Sequence, residues 1–204
     1  MLAYRHAFHA GNHADVLKHL VLTLVLRHMN LKDKGWRCVD THAGAGGYSL
    51  EGDYAKKRGE FEQGIARLWE RDDLPAPAAD YVALVRAFNS GSKLRQYPGS
   101  PALAHLLMRP QDQLRLFELH PTDHKILASY LGSAPGVEVR LADGYASLKS
   151  QLPPPTRRGV VLIDPSYELK SDYPRALAAL REALERFADA VVIVWLPQLQ
   201  LLEA

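Results

Sequence analysis

Residues 159–164 read GVVLID and run directly into Pro165-Ser166-Tyr167. A short run of apolar, mostly β-branched residues closed by a proline describes a strand buried on both faces, as in a parallel sheet covered by helices. The acid that ends it, Asp164, has no place in such a core. It has one at the carboxyl end of a strand, where open parallel sheets bind their ligands.

Working outward, four more runs have the same character: WRCVD at 36–40, QLRLFEL at 113–119, VEVRLA at 137–142 and AVVIVWL at 190–196. Between the later runs lie PTDHKILASYL, YASLKSQL and DYPRALAALREALERFA, each of crossover length and helical spacing. Strands alternating with helices predict an α/β fold, a parallel Rossmann-like sheet with helices on both faces. A helix also precedes the first strand. Val16, Leu17, Leu20, Val21, Leu24 and Val25 recur at three- and four-residue spacing behind Asn12, a plausible cap, with Lys18 and His19 beside the stripe.

The rhythm breaks once, because about seventy residues separate the first two strands where a few dozen suffice. GEFEQGIARLW and the segment around ADYVALVRAF have helical spacing, joined through Leu74-Pro75-Ala76-Pro77. They predict a small helical insertion within about 51–98, inside a single domain spanning 1–204.

Composition sets outer bounds. The 204 residues, 47% hydrophobic, suffice for one sizeable core, and a formal charge of +2 with pI near 8.6 neither requires nor excludes nucleic acid. A single cysteine, Cys38, excludes an internal disulfide framework and suits a reducing compartment. The start, MLAYRHAFHAGNH, has no signal-peptide pattern and no run approaches membrane-spanning length, so a cytoplasmic protein without membrane contact is expected.

The chemistry gathers at strand ends. The first strand runs into Asp40-Thr41-His42-Ala43-Gly44-Ala45-Gly46-Gly47, whose glycines permit a tight turn and a close ligand approach. Its plain alternative is an ordinary strand-to-helix turn. The second strand ends in Glu118, which can accept two ribose hydroxyls. The third ends in Asp143-Gly144, able to accept from the amine of an adenine or simply to cap the next helix. Together these acceptors suit an adenosyl ligand. At Asp164, the carboxylate and the Pro165 carbonyl could hold both hydrogens of an exocyclic base amine and aim its lone pair at an electrophilic methyl group, with Tyr167 stacking on the base.

Asp164-Pro165-Ser166-Tyr167 resembles the (Asn/Asp/Ser)-Pro-Pro-(Tyr/Phe/Trp) motif of amino-group methyltransferases that use S-adenosylmethionine, with Ser166 in place of the second proline. The segments YRHAFHAGNHADVLKH (4–19), DTHAGAGGY (40–48), GEFEQGIARLW (59–69), YPGSP (97–101), FELHP (117–121), ADG (142–144) and RRGVVLIDPSYE (157–168) resemble, in order, the RlmJ family of 23S ribosomal RNA adenine-N6 methyltransferases.

The resemblance implies an S-adenosylmethionine pocket lined by His19, His42, Gly44, Ser100, Glu118, Asp143, Gly144 and Asp164. It implies catalysis by Asp164, supported by Pro165 and Tyr167, and a substrate side formed by Tyr4, Lys18 and Tyr167. The partner is 23S ribosomal RNA and the expected state a monomer. Members continue past the fifth strand, whereas this sequence closes with WLPQLQLLEA, so the C-terminal part of the family's fold is expected to be absent and an apolar sheet edge exposed.

Three rivals stay open. The histidines at 6, 9, 13 and 19 tempt a metal reading, but their spacing matches no recognised zinc type, and no metal is expected. A nicotinamide oxidoreductase would want G-x-G-x-x-G/A, and counting from Gly44 gives Ser49 at the third site. A catalytically impaired RNA- or cofactor-binding homologue is the remaining alternative, given Ser166 and the short end.

Overall fold

The computed structural model describes residues 9–52 and 59–197. Its centre is a five-stranded parallel sheet in the order β5-β4-β1-β6-β7. The strands are β1 (Arg37–Asp40), β4 (Gln113–Glu118), β5 (Val137–Leu141), β6 (Gly159–Ile163) and β7 (Val191–Val194). Strand order reverses between β1 and β6, where Cys38 pairs with Val160 and Asp40 with Leu162. Each expected strand is present, the first four shortened by one residue and β7 by three.

Alternation along β6 explains its composition. Val160 and Leu162 pack into one core with Leu22 and Leu26 of α1 (His13–Met29), Ala104 of α4 (Ser100–Leu107) and Leu127 of α5 (Pro121–Leu131). Val161 and Ile163 face the opposite core, built with Leu148 of α6 (Gly144–Gln151) and with Ala176, Ala179 and Ala183 of α7 (Asp172–Arg186). A strand buried on both faces has no position for a polar side chain, so GVVLI is apolar throughout.

Between β1 and β4 the chain forms a two-stranded antiparallel sheet of β2 (Gly47–Ser49) and β3 (Gln96–Pro98). Between those strands lie a 3-10 turn (Glu60–Gln63), a one-turn α2 (Ala66–Trp69) and α3 (Ala76–Phe88). Ile65, Trp69, Tyr81, Val85 and Tyr97 share a third apolar cluster. Buried within it, Tyr97 Oη lies 2.7 Å from Tyr81 Oη and 2.8 Å from His19 Nδ1.

Helix α1 starts where the spacing predicts, and the Asn12 side chain accepts from the Asp15 amide at 2.9 Å. Its buried face differs from the expected stripe. Asp15, Lys18, His19, Leu22, Thr23, Leu26 and Met29 are buried, while Leu17, Val21 and Leu24 are exposed. The helix is apolar almost all round, so hydrophobic spacing alone does not orient it. The polar residues decide: on the inward side Lys18 meets Asp164 and His19 meets Tyr97. No helix of the described residues is long and apolar enough to cross a membrane.

The two faces of α1 should separate in denaturant titrations. Leu22→Ala, fully buried, should cost about 2–5 kcal/mol. Leu17→Ala, at 53% exposed, should stay within about 0.5 kcal/mol.

Candidate active site

Beyond the carboxyl ends of β1, β4, β5 and β6 lies a cavity of about 510 Å³. Of the residues expected there, His19, Lys18, His42, Gly44, Ser100, Glu118, Asp143, Gly144, Asp164, Pro165 and Tyr167 all line it. Tyr4 lies outside the described residues, as do Arg5 and His6. The parallel register explains the convergence: Asp40 sits level with Leu116 and Leu162, so the residues that follow in three strands meet in one crevice.

The glycine loop after β1 does not open a helix; it enters β2. Gly44 has φ +62°, the left-handed region that glycine adopts without cost. Its N–H donates to Glu118 Oε2 at 2.7 Å, and Glu118 Oε1 accepts the His120 N–H at 2.6 Å. Burial raises the Glu118 carboxyl, and those two backbone donors oppose the rise. Each carboxylate oxygen retains acceptor capacity for a ligand hydroxyl.

Asp143 is both a cap and a cavity residue. Its Oδ1 accepts from the Tyr145 and Ala146 amides at the start of α6, at 2.9 and 3.3 Å, while Oδ2 meets Arg175 of α7 at 2.5 Å. The Arg175 guanidinium also lies 4.6 Å from the centre of the Tyr145 ring. Gly144 is where the backbone comes closest, since a Cβ there would stand 2.1 Å from the Thr41 carbonyl oxygen.

Hydrogen-bond direction can be assigned at two positions. Thr41 Oγ1 donates to the Leu162 carbonyl at 2.9 Å, so its single proton is committed. His42 Nδ1, 2.8 Å from that hydroxyl, is therefore the donor, leaving Nε2 as a bare acceptor. Burial lowers His42 to about 4, so the ring is neutral. Ser100 Oγ likewise donates to Asp40 Oδ2 at 2.6 Å, leaving its lone pairs for a ligand. Burial pushes Asp40 up to about 6 against the pull of Ser100 and the His42 amide.

At the β6 end, Lys18 Nζ reaches Asp164 Oδ2 at 2.5 Å and Asp15 Oδ1 at 2.9 Å. Burial alone would lower this ammonium; Asp164 and then Asp15 outweigh it and hold it above its ordinary range. Tyr167 takes φ +54°, its hydroxyl donates to the Trp195 carbonyl at 2.6 Å, and its ring lies 4.6 Å from that of Tyr173. Asp15, Tyr97 and Arg175 fall within segments quoted from the sequence without being singled out there, and Asp40 appears only as part of the glycine loop. No local motif marks them: Arg175 meets Asp143 across 32 residues and Tyr97 meets His19 across 78, while Asp15 and Lys18 have the i,i+3 spacing of any helix.

A family model described as "Ribosomal RNA large subunit methyltransferase D, RlmJ" matches residues 33–203. Ribosomal RNA large subunit methyltransferase J of Escherichia coli (strain K12) is 49% identical over 197 residues, covering 97% of this chain and 70% of the relative. The protein of the same name from Haemophilus influenzae is 48% identical over 198 residues, with the same coverage. The crystal structure of protein LPL1258 from Legionella pneumophila superposes with a TM-score of 0.87 at 38% identity, over 93% of this chain and 70% of that one. With both the family model and relatives of this identity matching along nearly its whole length, the chain belongs to the RlmJ family of ribosomal RNA large subunit methyltransferases.

Proposed function

We propose that this chain transfers a methyl group from S-adenosylmethionine to the N6 amine of a specific adenine in 23S ribosomal RNA. The observation that carries the reading is the single cavity that joins Asp164-Pro165-Ser166-Tyr167 to Glu118, Asp143 and the Gly44 loop. An amine-acceptor motif and a set of acceptors for an adenosyl group share one wall. We read the chain as one methyltransferase domain acting as a monomer, with 51–98 as its helical insertion.

The donor set fits the proposed cofactor. Glu118 has acceptor capacity for ribose hydroxyls, and Asp143 Oδ2 for a base amine beside Arg175. Ser100, its proton given to Asp40, is an acceptor for an ammonium group. His42, neutral, puts no positive charge beside a sulfonium. When bound, S-adenosylmethionine supplies an electrophilic methyl on that sulfonium. Gly44 and Gly144 line the same cavity, their close packing on Tyr48 and Thr41 fixing the loops that hold it.

The chain's own residues prepare the acceptor. An adenine N6 lone pair is delocalised into the ring and is a poor nucleophile. The Asp164 carboxylate and the Pro165 carbonyl accept its two hydrogens, draw the nitrogen toward a pyramidal geometry and direct the lone pair. The Asp164 carboxylate, ion-paired with Lys18, stabilises the positive charge that builds on nitrogen. Tyr167 offers a stacking surface for a base taken out of its helix, worth about 1–3 kcal/mol. Lys18 and Tyr4 belong to this substrate side. A base paired in a duplex cannot present N6 in this way, so the substrate is RNA in which that adenine is free to leave its stack.

Radiolabelled methyl transfer to unmodified 23S ribosomal RNA, followed by nucleoside analysis, should yield N6-methyladenosine. Asp164→Ala should abolish turnover while largely sparing cofactor binding by calorimetry; a variant that still methylates removes Asp164 from the chemistry. If cofactor binds but the wild-type chain transfers nothing, the binding-homologue reading replaces this one.

The pH dependence of cofactor affinity should follow Asp40. Above about 6 the carboxylate is ionised and takes the Ser100 proton, so affinity should weaken as the pH falls through 6. Stability runs the other way. The folded value exceeds the ordinary 3.8, so ionising Asp40 destabilises the fold progressively between 3.8 and about 6. Calorimetric titrations across pH 5–8 should show the inflection in the wild type and not in Asp40→Asn.

A further inference from the structure

Asp15 and Lys18 stand one turn apart on α1, at 2% and 5% exposed. Lys18 Nζ sits between two carboxylates, Asp164 at 2.5 Å and Asp15 at 2.9 Å. Only Asp164 belongs to the acceptor motif. Asp15 is itself fixed from the other side, because its Oδ2 accepts the Gly11 N–H at 3.0 Å. Gly11 in turn is held at φ +77°, with its carbonyl accepting the Ile65 N–H at 2.9 Å. A Cβ on Gly64 would lie 2.1 Å from that carbonyl oxygen, so the junction has no slack.

A competition follows from this geometry. An ammonium forms stronger, charge-assisted hydrogen bonds to a carboxylate than a neutral amine does. Paired with Asp164 alone, Lys18 would draw that carboxylate fully to itself, and an incoming adenine amine would have to displace it. A second carboxylate on the helix that carries Lys18 divides the ammonium's pull. It gives Lys18 a partner that stays in place while Asp164 turns an oxygen to the substrate.

Resting on the reading of Asp164 as the amine acceptor, we propose that Asp15 is a positioning residue for methyl transfer. It holds the Lys18 ammonium on α1 so that Asp164 keeps an oxygen for the acceptor amine. Asp15 lines the same cavity, and its effect passes through Lys18, whose ammonium it holds at 2.9 Å. A purely structural ion pair would support the fold equally in all states and leave the catalytic step unchanged in a folded variant.

Asp15→Asn retains an oxygen for the Gly11 N–H and removes the charge. Under saturating S-adenosylmethionine and 23S ribosomal RNA, its kcat should fall by about 10²-fold, with cofactor affinity by calorimetry unchanged. Lys18→Met and Lys18→Met/Asp15→Asn complete the cycle. If Asp15 acts through Lys18, the double variant turns over no more slowly than Lys18→Met. A wild-type kcat in Asp15→Asn, or a further loss in the double variant, overturns the proposal. Should Asp15→Asn alone not fold, Asp15→Ser, which keeps an oxygen within a smaller side chain, takes its place in the cycle with the same two readings. Wild type and Asp164→Ala run in the same assay. Failure of the underlying site reading appears there, as absent N6-methyladenosine or as activity that survives without Asp164.

Discussion

One buried ammonium ties the first helix to the switch point of the sheet. Lys18 and Asp164 are 146 positions apart in sequence and 2.5 Å apart in space, with Asp15 on the same ammonium. Removing three charges from water is costly, and attraction offsets that cost only when the geometry satisfies every partner. That requirement turns α1. Once Asp15, Lys18 and His19 face inward, Leu22, Leu26 and Met29 follow them onto the sheet, and Leu17, Val21 and Leu24 are left to solvent. The rotation of a helix that is apolar on every side is thus set by its polar residues.

The same logic explains which parts of the fold were legible in the sequence. GVVLI announces itself because a strand buried on both faces leaves no room for polar residues; WRCVD and QLRLFEL are short apolar runs whose polar members, Arg37, Gln113 and Arg115, fall at partly buried positions. The β2–β3 pair is silent. Its strands have three residues each, one ends in Pro98, and their pairing joins Tyr48 to Tyr97 across the whole insertion. No periodicity survives in so short a run. The glycine loop was legible as a loop, but whether it leads into a helix or a strand depends on that distant partner.

In the site, acids at strand ends could be read because the sheet's topology gives their position a meaning. Asp15, Asp40, Tyr97 and Arg175 could not, since each works on another side chain. Asp40 matters through Ser100, Tyr97 through His19, and Arg175 through Asp143. Those pairings are separated by 60, 78 and 32 residues, and no spacing rule reaches so far. Residues that touch a ligand leave a pattern in sequence; residues that orient them leave one only in space.

The polarity of the wall narrows what can enter it. Glu118, Asp143, Asp164, the Ser100 oxygen and the Nε2 of His42 are all acceptors, and among the described residues the lysine and arginine on the wall, Lys18 and Arg175, are each already engaged by carboxylates. A ligand rich in hydroxyls, amines and positive charge meets partners everywhere. A pyrophosphate does not: the Gly44 loop opens a strand, so no helix N-terminus stands behind it to receive the anion, and the nearest side-chain charge to that loop's amide is the Glu118 carboxylate. A nicotinamide dinucleotide would set its two phosphates against that acid. In the reaction proposed above, the acceptors that disfavour a dinucleotide receive both the adenosyl sulfonium and the base amine, so selection of donor and of acceptor would rest on one electrostatic property of the crevice.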